Sequence, residues 1–116
     1  MKNYINTEMV KVLADGMDKN ELINLLEFIQ GEFEKKVDFI FNQTDVQIII
    51  RSANELKISG LNLGLKEFAF YLKNLAEQVQ INNSYISLEL YMNKKEEIKD
   101  VLMKSIEEIK RLSLKH

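Results

Sequence analysis

Few side chains in this sequence can do chemistry on their own. The one histidine is the last residue, His116, and there is no cysteine. That excludes mechanisms built on two imidazoles, on a thiolate nucleophile or on a thiolate metal site, and it leaves the only imidazole at a poorly held terminus. What remain are carboxylates and amines: 18 Asp plus Glu against 16 Lys plus Arg, for a formal charge of -2. Paired carboxylates can share a metal ion or divide acid and base roles, and Glu96-Glu97 and Glu107-Glu108 are such pairs. Lys94, Lys99, Lys104 and Lys110 interleave with them, which is the pattern of a solvated, ion-paired helix face. A di-iron bundle also needs a Glu-x-x-His pair, which is missing. No H-E-x-x-H, Walker A, nucleophile-elbow or EF-hand pattern occurs. The expectation is a chain with no independent catalysis, no metal and no cofactor. Met9, Met17, Met92 and Met103 fall at helical positions and read as core filler.

The elements that hold these residues are helical. There is no proline and only four glycines among 116 residues, and apolar residues recur near every 3.6 positions almost throughout. A first short helix places Ile5, Met9, Val12 and Leu13 on one side and closes near Asp15-Gly16. Asp18 and Glu21 form an N-terminal cap for a second helix with the stripe Leu22, Leu25, Leu26, Ile29, Phe33, Val37 and Ile40. Thr44 and Gln47 read as a capping box for a third, from about Asp45 to about Ser59, with Val46, Ile49, Ile50, Ala53, Leu56 and Gly60 inward. Gln47, Arg51, Asn54 and Ile58 then line up on its opposite flank. Gly60 to Gly64 reads as a tight connection, followed by a fourth helix marked by Leu65, Phe68, Ala69, Leu72, Leu75, Ala76 and Val79. Asn82-Asn83-Ser84 breaks the pattern. A last helix, about Ser84 to Leu112, carries Leu88, Tyr91, Ile98, Leu102, Ile109 and Leu112, with Lys95 and Ser105 as interruptions that predict partial cover. The fold class is all-α: one domain over 1–116, an antiparallel up-and-down four-helix bundle with a short N-terminal helix.

One stretch carries more than packing information: Arg51-Ser52-Ala53-Asn54-Glu55-Leu56-Lys57-Ile58-Ser59-Gly60-Leu61-Asn62-Leu63-Gly64-Leu65. It resembles the signature of histidine-containing phosphotransfer domains of bacterial two-component signalling, His-x-Leu-Lys-Gly-Ser/Ala-Ser/Ala-x-x-Leu-Gly-Leu, which lies on a bundle helix and the turn after it. Leu56, Lys57, Ser59, Leu63, Gly64 and Leu65 match it, with Ala53 immediately before it and the small Gly60 at its second Ser/Ala position. The resemblance extends to the flanks, in Leu25-Leu26-Glu27-Phe28 and in Leu72 and Leu75. It implies a helical bundle that carries phosphate between signalling proteins, with Lys57 holding phosphoryl oxygens and Ser59, Gly60 and Gly64 shaping the motif.

Three departures bear on that activity. Asn54 stands where the family carries its phosphorylated histidine. An imidazole attacks an aspartyl phosphate because one ring nitrogen keeps a free lone pair, whereas an amide nitrogen has its pair delocalised into the carbonyl. Ile58 replaces a glycine one turn on, adding four heavy atoms where a receiver domain would approach. Ala76 occupies a place where many members have Gln or Glu supporting the phosphorylated ring.

The resemblance therefore implies a histidine-lacking module that binds a response-regulator receiver domain or a sensor histidine kinase without accepting phosphate. Ile48, Arg51, Glu55, Lys57 and Ile58 are its expected docking residues around Asn54. Two other readings of the same residues stand beside it: an active phosphorelay protein carrying a His-to-Asn substitution, and a structural bundle that self-associates through its isoleucine-bearing flank. For single residues there are plainer readings too, with Ile48 packed under the N-terminal helix, Arg51 a solvated charge, and Lys57 a remnant lying along its helix. No basic block tracks a phosphate backbone, so nucleic acid is not expected. No run reaches about 18 apolar residues, so no membrane span is expected. The start Met1-Lys2-Asn3-Tyr4 lacks the apolar stretch of a secretory signal, so a cytoplasmic location is expected; the expected assembly is a monomer or weak homodimer. The bias towards Ile, Lys and Asn is associated with AT-rich bacterial genomes.

Overall fold

The computed structural model describes residues 4–82 and 88–114. Five helices account for most of them: α1 (Thr7–Ala14), α2 (Lys19–Phe41), α3 (Val46–Asn62), α4 (Lys66–Asn82) and α5 (Leu88–Leu114). No strand occurs among the described residues. The four long helices pack in a ring, α2 against α3, α3 against α4, α4 against α5 and α5 back against α2. The molecule is elongated, 47 × 27 × 20 Å, because α2 and α5 alone run 23 and 27 residues at about 1.5 Å each.

Apolar spacing decides which faces meet. On α2, Leu22, Leu26, Ile29, Phe33, Val37 and Ile40 are buried, with Leu25 half-buried at the edge of the stripe. On α3, Ile49, Ala53, Leu56 and Gly60 are buried, while Val46 and Ile50 are half-buried. Every expected core position from Leu65 to Val79 is buried. The Phe33 and Phe68 rings stack across the interior, with centroids 5.7 Å apart. Ion pairs tie α2 to α5 at two levels. Asp38 meets Lys99 at 2.6 Å and Lys95 at 3.3 Å, and Glu27 meets Lys110 at 3.7 Å. Going from Lys99 to Lys110 thus advances along α5 and retreats along α2. Asp38 Oδ1 is enclosed, and the hydrogen-bonding Lys99 ammonium, with Lys95 beside it, holds its pKa below the ordinary carboxylate range.

Several local expectations need correction. The cap of α3 is Asp45, whose Oδ1 accepts from the backbone N–H groups of Gln47 at 2.9 Å and Ile48 at 3.4 Å; Thr44 lies one residue outside. A carboxylate at a helix start gains from the dipole as well as from the hydrogen bond, which favours it over a neighbouring hydroxyl. α3 does not stop at Ser59 but continues through Gly60 to Asn62, because burial of Gly60 outweighs a glycine's poor helix propensity of about 1 kcal/mol. Val12 is 71% exposed and the inward residue of α1 is Val10. Ile5 precedes the helix and is buried. Asn6 caps α1, its Oδ1 accepting from Glu8 and Met9.

On α5, Ser105 is fully buried rather than a gap in the cover, since its hydroxyl donates to the Val101 carbonyl at 2.7 Å and leaves no unpaired polar group inside. Lys95 is half-buried, and its stem runs towards Asp38. Val101 and Ile106 join the core beside the expected Ile98, Leu102 and Ile109. The expected start at Ser84, and the side chains of Leu88 and Tyr91, lie outside the described residues. No described helix is long and apolar enough to cross a membrane.

Candidate functional site

The motif residues divide into a rigid part and an exposed part. The rigid part is the end of α3. Leu65 N–H donates to Gly60 O at 2.8 Å and Gly64 N–H to Leu61 O at 3.1 Å, the paired 6→1 and 5→2 bonds of a Schellman turn. That turn requires a left-handed residue, and Gly64 supplies it with φ +80°. A second demand falls on the same residue. The N-terminal segment crosses the turn: Asn6 N–H donates to Gly64 O at 2.8 Å and Glu67 N–H to Tyr4 O at 3.2 Å. A Cβ on Gly64 would stand 3.0 Å from Asn6 O and 3.1 Å from Val10 Cγ2. Gly60 is constrained from the other side, since a Cβ there would stand 3.2 Å from Phe68 Cδ2. Ser59 turns its hydroxyl onto its own helix, donating to Glu55 O at 3.2 Å. Gly60 and Gly64 are thus constrained by the core and the backbone of the turn, whereas Ser59 satisfies its hydroxyl within α3.

The exposed part is the outer flank of α3. Ile58 lies at its centre, 56% exposed. Arg51 is exposed and Asn54 half-buried. Among the described residues, neither the Asn54 amide nor the Arg51 guanidinium has a side-chain hydrogen bond or an ion pair. At 100° per residue, Asn54, Ile58 and Arg51 fall within about 60° of one another and form one ridge. The remaining docking candidates leave that ridge in opposite directions. Ile48 lies about 120° round the helix from Asn54 and is half-buried, so it does not flank Asn54. Glu55 and Ser59 line a hollow of about 210 Å³ against Lys36 and Phe39 of α2. Lys57 turns the other way, into a hollow of about 260 Å³ between α3 and α4 that it shares with Leu61, Lys66, Glu67, Phe70 and Lys73.

Ala76 is only 5% exposed and belongs to the core. As an alanine it does not reach this surface. The α4 residues that share the Lys57 hollow are Lys66, Glu67, Ala69, Phe70 and Lys73. Part of their signal was present in the sequence as the outward series Lys66, Phe70, Lys73 and Glu77, spaced four, three and four apart, with an aromatic ring in an otherwise charged stripe. Among the described residues, no three histidine, aspartate or glutamate side chains gather into a group able to hold a metal ion.

Comparison with protein-family models, with curated proteins and with solved structures gives no match for this chain.

Proposed function

We propose that this protein is a phosphotransfer-like binding module of bacterial two-component signalling, one that engages a receiver domain or a sensor kinase in the cytoplasm without taking phosphate. The observation that carries the reading is the chemistry of the α3 ridge: an amide at Asn54, one turn before the exposed Ile58, on the helix that leads into the Gly60–Leu65 turn. The amide donates and accepts hydrogen bonds but offers no nitrogen lone pair for phosphoryl attack. Ile58 gives the ridge an apolar centre, and Arg51 supplies a charge beside it, a composition suited to burial against another protein. The arrangement we favour for the ring of long helices is the antiparallel up-and-down bundle, supported by the opposed order of the α2–α5 ion pairs and by the short Leu63–Leu65 turn between α3 and α4.

The test is titration of the full chain against isolated receiver domains from its own genome, with Arg51→Ala and Ile58→Ser as variants. Binding that both variants weaken supports the reading, and absence of binding to every receiver removes it. Incubation with a phosphorylated receiver should leave no acid-labile, base-stable phosphate on the chain. Asn54→His alone should restore little transfer, and Asn54→His with Ile58→Gly should restore more. Full transfer by the single variant would refute the steric role of Ile58.

A further inference from the structure

The hollow between α3 and α4 has a character the ridge lacks. Its floor and walls are apolar, with Leu61 47% and Phe70 50% exposed, and Ile58 continues the strip one turn earlier on α3. Its rim carries three ammonium groups, Lys57, Lys66 and Lys73, against one carboxylate, Glu67. Lys57 and Lys66 have no ion-pair partner among the described residues. Lys73 lies 3.9 Å from Glu77, with both side chains more than half exposed, a pair weak enough to exchange for a better partner. A chain with a net charge of -2 thus gathers positive charge around one exposed apolar strip.

We propose that this hollow seats an acidic amphipathic helix of a partner protein. A helix is favoured over an extended segment because the walls are themselves helices. Their backbone groups are used internally, so no strand edge is available for pairing, whereas the trough between two helices accepts apolar side chains at i, i+3, i+4 and i+7. Acidic flanks are favoured because Lys57, Lys66 and Lys73 would repel basic ones and leave neutral ones without partners for the ammonium groups. The proposal does not depend on the two-component reading: Leu61, Lys66, Phe70 and Lys73 play no part in it, and the two docking sets share only Lys57 and, at the edge of the strip, Ile58.

The test selects peptides from a random display library on the immobilised full chain. The enriched sequences are then synthesised and their affinity measured by fluorescence polarisation. Enriched peptides should be net acidic with helically spaced apolar residues. Phe70→Ala and the double variant Lys57→Glu/Lys73→Glu should each weaken binding by about tenfold or more, and raising the salt to about 0.5 M should weaken it further. Phe28→Ala, on the outer face of α2, should leave it unchanged. Amide chemical-shift changes on the unsubstituted chain should centre on Leu61 and Phe70, a readout that does not depend on how any variant folds. No enrichment, enrichment of neutral or basic peptides, or shift changes located elsewhere would overturn the proposal. Receiver titration through Arg51 and Ile58 can fail while this binding persists, and the reverse, so the two ideas fall separately.

Discussion

The C-terminal turn of α3 and its outer flank are under different constraints. At its C-terminal end, Gly60, Gly64 and Leu65 are held by a helix cap, by the ring of Phe68 and by the N-terminal segment lying across the turn. On its outer flank, Arg51 and Asn54 make no side-chain hydrogen bond or ion pair to another described residue, and Ile58 is more than half exposed. The residues that match the phosphotransfer signature at the turn are therefore ones the fold itself demands, whereas the residues that depart from it, Asn54 and Ile58, lie where the fold imposes little. Matching a scaffold signature speaks to shape, and the flank is where chemistry is free to change.

Point substitutions put that contrast to the test. The largest effect belongs to Gly64→Val, which places a β-branched side chain at φ +80° and drives its Cβ against Asn6 O and Val10. Strain and steric conflict together should lower stability by about 2–5 kcal/mol, read from the denaturant midpoint. A loss under about 1 kcal/mol would show that the N-terminal segment does not hold the turn. Gly60→Ala comes next. Alanine gains up to about 1 kcal/mol of helix propensity, but its Cβ presses on the fully buried Phe68 at 3.2 Å. Overpacking costs about 1–3 kcal/mol, so a net loss near 1 kcal/mol is expected, and a stabilised variant would mean that Phe68 yields.

Asp38→Asn probes a contact outside both regions. The folded carboxyl titrates below its unfolded value because Lys99 and Lys95 favour the anion. Its contribution is therefore complete above the unfolded pKa of about 4 and disappears as pH falls through the lower folded value. The wild type should lose its advantage over Asp38→Asn across that acid window, and the difference at neutral pH should stay below about 1 kcal/mol, because the Asp38 side chain as a whole is 43% exposed and screened by solvent. An advantage that grows with acid would contradict the assignment. The smallest effect is Asn54→Ala, expected within about 0.5 kcal/mol of neutral. A larger loss would mean that the amide is a structural group.

Much of the fold was legible because burial follows helical periodicity. The stripes of α2 and α4 needed only the 3.6 spacing, and Asp18 announced its cap, accepting from Glu21 N–H at 2.8 Å. Caps and ends were harder. Thr44 and Asp45 are adjacent residues that can each cap a helix, and the end of α3 depends on a packing contact between Gly60 and Phe68 that no local pattern encodes. Ser105 looked like a gap because a hydroxyl is polar, yet its hydrogen bond to Val101 makes it as buriable as an alanine. The candidate site was legible in the same measure: Asn54 and Ile58 share a face by spacing alone, while the placing of Ile48, Glu55 and Lys57 depended on where α2 and α4 lie.

By itself the sequence determined the helical class, the inward faces of the long helices, the absence of histidine from the Asn54 position and the need for glycine at the α3–α4 turn. These follow from composition, from 3.6-residue periodicity and from local capping, all of which act within a few residues. Packing between helices alone decided that α3 runs on to Asn62, that one docking set divides between a ridge and two hollows, and that Lys57, Lys66 and Lys73 surround one apolar strip. Such juxtapositions join residues from separate helices, and their relative placement is set by how whole faces pack, which no single segment records.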